Sequence, residues 1–431
     1  MRLTQEEKDI LAGKQGETYA KIMKTVVDFG EVFGATKLVP ITHASHFVTS
    51  FGIGLLKPLF RTMDEIIAAG IKTKEPFTVD PRPIDYTNVK CGLLNKLIFS
   101  KIMYKEQARY EEQLKKVGLK DSKSFTCTSY FEEVGNLPKK GDILGWAESS
   151  AVVYANSVIG ARCNRNSGML DLFSAIIGKV PEFGLLTDEG RKADWIIDIQ
   201  TSKLPEAQIL GSAIGLKVME DVPYVKGLDK YLGNELTDDV KGYLKDFGAA
   251  TASNGSVGLY HIDGLTPEAK ELGKKLIKKD AKVYTITDRE LDKIYKSYPV
   301  LWKNLNAKPY LCFIGCPHLS MSQLNDWAKN ILEGLEKNNR KKVTVRTILT
   351  TSPQIADKFR ESEIYAKLSK TGVKVSSICP LMYTNNPIAG KKPIITSSNK
   401  LRTYSSSRFY KNDDILQIIT GGKLWKNLAE E

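Results

Sequence analysis

The chain has 431 residues, enough for two or three domains of ordinary size. Apolar residues make up 42% and charged residues 26%, close to the average of globular proteins, which excludes disordered and fibrous classes. The 63 Lys and Arg against 50 Asp and Glu give a net charge of +13, which suits nucleic acid, an anionic membrane surface or small anions. No run of about 18 apolar residues occurs and the first residues lack a signal-peptide core, so we expect a cytoplasmic protein without membrane association.

The predicted elements begin with a helix and continue as alternating strands and helices. The capping-box pattern of Thr4 and Glu7, followed by apolar residues at helical spacing up to Val26, predicts the first helix. A charge-rich helix over 104–117 is predicted to end at Gly118. Further strands are predicted at 194–200, 256–264, 281–287, 309–315, 341–350 and 373–378, and helices at 205–220, 266–279, 321–337 and 354–370. This alternation predicts an α/β fold with mostly parallel strands.

Domain boundaries are weakly marked in this sequence. The best candidates for a lobe boundary are the Gly, Asn and Ser-rich stretch 252–257 and the polar segment 120–125. The last residues, 422–431, are predicted to fray.

The six cysteines form no CxxC pair and are too few for a disulfide framework, which indicates free thiols. Three of them, Cys127, Cys316 and Cys379, follow predicted strands, where ligands of α/β sheets gather. They could converge on one crevice as metal ligands, although buried free cysteines are common without any such role. Cys312 lies inside an apolar strand and is interpreted as a core residue. The roles of Cys91 and Cys163 stay undecided.

The densest motif lies between residues 127 and 168 and combines polar side chains with small residues. Its polar members are Glu148, Ser149, Ser150, Asn156, Ser157, Arg162, Asn164 and Arg165. An Arg-X-Asn-Arg turn can clamp a carboxylate or a phosphate because the guanidinium group binds such anions in a bidentate manner. The alternative is an assembly of helix caps and helix-surface residues.

These segments together resemble the aconitase X family of aconitase-like dehydratases. The resemblance rests on CTSY at 127–130, GNLP at 135–138, AESSAVVYANSVIGARCNR at 147–165, GCPHLS at 315–320, CP at 379–380 and TSSNK at 396–400. It covers 1–421, which we interpret as the catalytic, large-subunit region. It implies an α/β fold of several lobes around a central crevice, without the family's small swivelling domain.

The resemblance also implies a cofactor and a partner. Cys127, Cys316 and Cys379 would hold an iron–sulfur cluster, with [4Fe-4S] favoured and [2Fe-2S] or mononuclear iron left open. An iron without a protein thiolate would act as a Lewis acid on the substrate hydroxyl. The family assigns the base to a serine of the small domain, so a separate small subunit is expected.

The remaining site residues follow from matching the family's motifs. Glu148, Ser149 and His318 are expected to be catalytic, with His318 orienting the cluster or the substrate. The expected substrate-binding residues are Ser150, Asn156, Arg162, Asn164, Arg165, Ser398, Lys400 and His46.

Some positions depart from the family pattern. Cys163 and Asn166 replace the usual Thr and Glu, and the loop containing His43 and His46 differs, which leaves the substrate uncertain. Each of these two histidines either contacts a ligand or caps local structure. His261, on a predicted strand, is interpreted as structural.

The leading hypothesis is a hydro-lyase that removes water from a small anionic hydroxy acid, most readily 5-phosphomevalonate. The alternative within the family is cis-3-hydroxy-L-proline or another hydroxy acid. Two other classes stay open: a nucleic-acid-binding protein, motivated by the basic charge, and a non-catalytic scaffold. Scattered basic residues without an RNA-binding signature disfavour nucleic acid.

Overall fold

The structure is a computed structural model and describes residues 1–48 and 57–422. Its helices are α1 (Gln5–Leu11), α2 (Glu17–Val32), α3 (Lys57–Ala68), α4 (Leu93–Ile98), α5 (Gln107–Val117), α6 (Ser149–Tyr154), α7 (Gly168–Ile177), α8 (Ala207–Val218), α9 (Asp229–Leu232), α10 (Asp238–Gly255), α11 (Pro267–Leu272), α12 (Asp288–Lys296), α13 (Met321–Lys337), α14 (Pro353–Arg360), α15 (Glu363–Leu368), α16 (Pro380–Thr384), α17 (Asn399–Tyr404) and α18 (Asn412–Gly421). Two π-helical turns, Phe99–Met103 and Ala155–Ile159, extend α4 and α6.

The strands fall into two larger and two smaller sheets. They are β1 (Leu38–Pro40), β2 (His46–Phe47), β3 (Thr78–Val79), β4 (Lys179–Pro181), β5 (Ala193–Gln200), β6 (Pro223–Lys226), β7 (His261–Ile262), β8 (Ile277–Thr287), β9 (Leu311–Leu319), β10 (Arg346–Thr351), β11 (Lys374–Ser376), β12 (Ile394–Thr396) and β13 (Arg408–Phe409). One sheet has the order β7-β6-β5-β8 and the other β11-β10-β9-β12-β13, and every pair within them is parallel. The predicted α/β fold with mostly parallel strands is confirmed.

Local signals at the helix ends account for several bounds. Thr4 and Glu7 form the predicted capping box at the start of α1. The first helix is nevertheless divided, because Gly13 and Gly16 adopt positive φ between α1 and α2. Gly118 ends α5 as predicted, with φ of 131°.

Three further predicted elements differ from the structure. The helix predicted over 354–370 is divided into α14 (Pro353–Arg360) and α15 (Glu363–Leu368). The helix predicted over 266–279 ends at Leu272, and 277–279 belong to β8, which pairs with β5. Parallel pairing in the sheet overrides the helical spacing of the lysines there. Only His261–Ile262 of the strand predicted over 256–264 pairs with β6.

The predicted lobe boundary at 252–257 lies at the end of α10 and in the residues that follow it. Ala252 is buried, and the glycines of α8 and α10 bring these two helices into close contact. The predicted frayed tail lies outside the described residues beyond Gly422. Within the described part of the chain, no helix is long and apolar enough to cross a membrane.

Candidate active site

The three cysteines predicted as metal ligands line one cavity of about 470 Å³. Cys127 follows a short bridge between Val79 and Phe125, Cys316 belongs to β9, and Cys379 caps α16. The structure thus brings together side chains that lie 189 and 63 residues apart. All six cysteines are free thiols, and Cys312 is buried in β9, as predicted for a core residue.

Other predicted residues also line this cavity. They are Glu148, Ser149, Arg165, His318 and Lys400. The sequence did not single out Asp80, Ser256, Asn385 or Tyr404, which line it as well. Asp80 directly follows β3, which bridges to the segment just before Cys127. Its position after a buried strand was a sequence signal that could have identified it as a site residue.

The backbone around Cys316 fixes that thiol in place. Gly315 has φ of 104°, and a Cβ atom there would lie 2.5 Å from the carbonyl oxygen of Thr350. Only glycine fits this position, because both the conformation and the space exclude a side chain. The hydroxyl of Ser398 donates a hydrogen bond to the carbonyl of Cys316. The predicted substrate ligand Ser398 therefore supports the backbone of Cys316 instead of lining the cavity.

Burial governs the protonation of the three thiols. It raises the pKa of Cys127 to about 12 and the pKa of Cys379 well above its usual value. Burial also raises the pKa of Cys316, although the ammonium of Lys400 opposes this effect. The positive charge of Lys400 stabilises thiolates, which form when a metal replaces the thiol protons.

His318 is held by both ring nitrogens. Nδ1 lies 3.0 Å from the hydroxyl of Thr126, and Nε2 lies 3.2 Å from the carbonyl oxygen of Ile378. A carbonyl can only accept, so Nε2 carries the proton and Nδ1 accepts from the threonine. Burial lowers the pKa of His318 to about 4, and its backbone N–H donates to Sγ of Cys127 at 3.3 Å. These contacts suit the predicted orienting role of this histidine.

Glu148 and Lys400 form a buried ion pair at the cavity wall. Glu148 caps α6 by accepting from the N–H of Ala151 at 2.6 Å, and it also accepts from the hydroxyl of Ser150 at 2.7 Å. Burial raises the pKa of the Glu148 carboxyl, but Lys400 and these two hydrogen bonds hold it below its ordinary value. The predicted residue Ser150 completes this network without lining the cavity.

Arg165 differs from the other cations of the site. It is half-buried at the cavity wall and makes no hydrogen bond or ion pair with the residues that the structure describes. A guanidinium group in that position is available to an anionic ligand.

Four predicted substrate-binding residues do not line the cavity and have structural partners. Arg162 bonds Asp188 and the carbonyl of Leu186, while Asn164 bonds the backbone of 183–185. Asn156 is buried between Cys163 and Arg191. His46 pairs with the hydroxyl of Thr78 at 2.9 Å, and burial lowers its pKa to about 4. The structural alternative, which the sequence left open, accounts for these contacts.

The remaining histidines and the departing cysteine have local roles. His43 lies 4.0 Å from Asp142 at the surface loop. His261 is buried in β7, where Nε2 donates to the carbonyl of Arg191, in accord with its predicted structural role. The thiol of Cys163 donates to the carbonyl of Trp146 at 3.4 Å and does not line the cavity.

A second, larger cleft of about 1100 Å³ shares Gly315 and Cys316 with the cysteine cavity. Its lining includes eight carboxylate residues and two lysines. Buried Lys245 lies next to it, paired with Asp246 at 2.9 Å. The basic chain thus presents an acidic surface at this cleft.

The spacing of the donors bears on the kind of metal group. Over residues 1–48 and 57–422, no three His, Cys, Asp or Glu side chains converge as ligands of a single ion. Thiolates around one ion must all lie within about 2.3 Å of it, whereas ligands of a cluster bind different irons.

The two parallel sheets and the cysteine cavity define a multidomain α/β protein whose site is assembled from distant parts of the chain. Family models match it in succession: aconitase X first domain over 1–189, second domain over 193–296 and third domain over 310–415. The chain belongs to the aconitase X family, which confirms the resemblance. The stretch 252–257 lies within the second matched domain.

Similar proteins match nearly the whole chain. It is 31% identical to the phosphomevalonate dehydratase large subunit of Thermococcus kodakarensis, over 97% of this chain and 99% of the relative. It is 25% identical to the cis-3-hydroxy-L-proline dehydratase of Pseudomonas aeruginosa, over 94% of this chain but 66% of that relative. The crystal structure of Thermococcus kodakaraensis aconitase X in its holo-form superposes with a TM-score of 0.79 at 29% identity, covering 97% of this chain and 100% of that one.

Proposed function

We propose that this chain is the large subunit of a two-subunit hydro-lyase that removes water from a small anionic hydroxy acid, with 5-phosphomevalonate as the favoured substrate. The observation that carries the proposal is the convergence of Cys127, Cys316 and Cys379 on one cavity. The cavity also holds Lys400 and Arg165, and Arg165 has no hydrogen bond or ion pair among the described residues. Family membership and the similarity to phosphomevalonate dehydratase large subunits support it.

The three cysteines would hold an iron–sulfur cluster, with [4Fe-4S] favoured. The N–H of His318 on Cys127 and the ammonium of Lys400 nearby fit such a group, because both favour sulfur ligands that carry negative charge. When bound, the cluster supplies a Lewis acid that assists the departure of the substrate hydroxyl.

The chain's own residues bind and orient the substrate in this proposal. Arg165 receives the phosphate or carboxylate, because its guanidinium group is the cation of the cavity without a protein partner in the described residues. Lys400 stays charged: burial lowers its pKa, but Glu148 and the nearby cysteines raise it above its ordinary value. It contributes positive charge to the cavity, while Glu148 and Ser150 fix its ammonium group.

The base that removes the proton is assigned to a separate small subunit. Relatives matched over 99–100% of their length are named large subunits, which implies a smaller partner. The cis-3-hydroxy-L-proline dehydratases are matched over 66–67% of their length, so a further third of those chains has no counterpart here. The proposal is that this third corresponds to the small subunit.

Two observations favour this function over the other classes. The cleft of about 1100 Å³ is acidic, which opposes the binding of nucleic acid there by repulsion. Cys127, Cys316 and Cys379 all line the cavity together with Lys400, which opposes a decayed scaffold. Free thiols in every cysteine accord with the proposed location in the cytoplasm.

The test is anaerobic purification with and without the small-subunit polypeptide, followed by iron and sulfide analysis and assays with 5-phosphomevalonate and cis-3-hydroxy-L-proline. We expect about three to four irons with matching sulfide per chain, and water loss from phosphomevalonate only when both subunits are present. If the enzyme turns over cis-3-hydroxy-L-proline and not 5-phosphomevalonate, the hydroxyproline becomes the proposed substrate. One iron without sulfide would exclude the cluster, and no iron under either condition would overturn the proposal.

A further inference from the structure

An unusual apolar surface lies on α4 and the π-helical turn that follows it. Leu93, Leu94, Leu97 and Ile102 are each more than half exposed. Leu94 and Leu97 are three residues apart on an α-helix, and Ile102 follows five residues later across a π-helical turn, whose hydrogen bonds span five residues. The spacing therefore keeps these side chains on one side. We call these four residues the leucine face.

The segment that carries the leucine face bears charge of one sign. Residues 86–105 contain Lys90, Lys96, Lys101 and Lys105 and no acidic residue, and all four lysines are exposed. An apolar strip rimmed by charge of one sign is typical of a site that binds a protein of opposite charge.

The leucine face is firmly attached to the wall of the cysteine cavity. On the inner side of the same helix, the ring of Phe99 packs 5.5 Å from that of Tyr383, and the hydroxyl of Tyr104 donates to the carbonyl of Met382 at 3.3 Å. Met382 belongs to α16, whose cap is Cys379, and both residues line the cavity. A protein bound to the face therefore lies next to one wall of the candidate active site.

We propose that the leucine face is the docking surface for the small subunit, whose contact surface is apolar and rimmed by acidic residues. This inference rests on the proposed function, because it assumes a partner that completes the site. The partner must lie beside the cavity to deliver a base, and the leucine face is an exposed apolar surface whose segment packs against α16 in the cavity wall. Its lysines attract the partner's carboxylates during association.

The test compares two matched variants in the presence of the small-subunit polypeptide. The double variant Leu94→Glu/Leu97→Glu changes side chains that are 61% and 55% exposed, and the control Leu301→Glu changes one that is 64% exposed in the segment between α12 and β9. Since all three are at the surface, the fold and the iron content are expected to stay unchanged. We expect the Kd for the small subunit, measured by sedimentation, to rise at least tenfold for the double variant and to stay within twofold for the control. Lys101→Glu is expected to slow association and to reduce its dependence on salt.

The outcomes separate this inference from the function on which it rests. If the wild-type subunits associate and dehydrate phosphomevalonate but the double variant binds as tightly as wild type, the docking surface is wrong and the function stands. If the wild-type subunits do not associate, the two-subunit proposal fails and the docking surface with it. If the chain alone forms dimers and the double variant abolishes them, the leucine face binds a second copy. If the chain binds anionic phosphatidylglycerol vesicles and the double variant does not, the face binds a membrane. Either result would overturn the inference.

Discussion

Replacing Lys400 with Met should destabilise the protein far more than an ordinary lysine substitution. The side chains of Glu148 and Lys400 are almost inaccessible to water, so the substitution leaves a buried carboxylate without its counter-charge. Removal of one partner of a buried ion pair costs about 3–5 kcal/mol. Two hydrogen bonds from Ser150 and Ala151 remain on Glu148, which favours the lower end of that range.

A double-mutant cycle isolates the contribution of the pair. Glu148→Gln keeps an oxygen that can accept from the Ala151 N–H, so the cap of α6 is retained while the charge is lost. In that background, Lys400→Met should cost about 2–3 kcal/mol less than in the wild type, because no charge is left unpaired. The measurement is the free energy of unfolding from urea denaturation of all four proteins, followed by circular dichroism.

The exposed pair of Lys115 and Glu112 provides the matched control. Both side chains are more than half exposed, and Lys115→Met should cost less than about 0.5 kcal/mol. The reasoning from burial would be refuted if Lys400→Met and Lys115→Met lowered the free energy of unfolding equally. It would also be refuted if the costs of Glu148→Gln and Lys400→Met were additive in the double variant.

Three further predictions concern ligands, substrate and pH. Cys316→Ser should remove most of the bound iron, whereas Cys312→Ser, in the same strand but outside the cavity, should retain it; equal iron content by colorimetric analysis would contradict the ligand assignment. Arg165→Ala should raise KM at least tenfold. Arg162→Ala should raise KM less than twofold, because Arg162 is paired with Asp188. If steady-state kinetics show the reverse, Arg162 binds the substrate anion, as the sequence predicted. Burial raises the pKa of Asp171 to about 8, so the native state holds a proton that the unfolded state has lost. The free energy of unfolding should therefore fall by about 1.3 kcal/mol per pH unit as the pH rises from 5 to 7. Asp171→Asn should flatten that slope in urea titrations, and an unchanged slope would exclude Asp171 as its source.

The parts of the fold that depend on local sequence were predictable. The capping box at Thr4, the end of α5 at Gly118 and the strand 194–200 all appear in the structure, because each is determined by neighbouring residues. The change from helix to strand after Leu276 was not predictable, since it depends on pairing with β5, more than 75 residues earlier in the chain. The division between α1 and α2 depends on glycines whose positive φ the apolar spacing does not reveal.

The candidate site shows the same distinction. The positions after predicted strands marked Cys127, Cys316 and Cys379 as candidates, and the resemblance to the family assigned them as ligands and added Lys400. Spacing could not tell Arg165 from Arg162, which are three residues apart: one reaches the cavity, and the other turns to Asp188. Lys245 was missed because no local pattern marks a lysine that the packing of α10 buries.

The ion pair between Glu148 and Lys400 also has a consequence for biosynthesis. It joins residues 252 positions apart, and two of the three cysteines come from the last third of the sequence. The ribosome must therefore have made the chain as far as residue 400 before the cavity wall can close. A metal group held by all three cysteines can be inserted only once Cys379 has been made, so Cys127 lacks the other two ligands throughout most of translation.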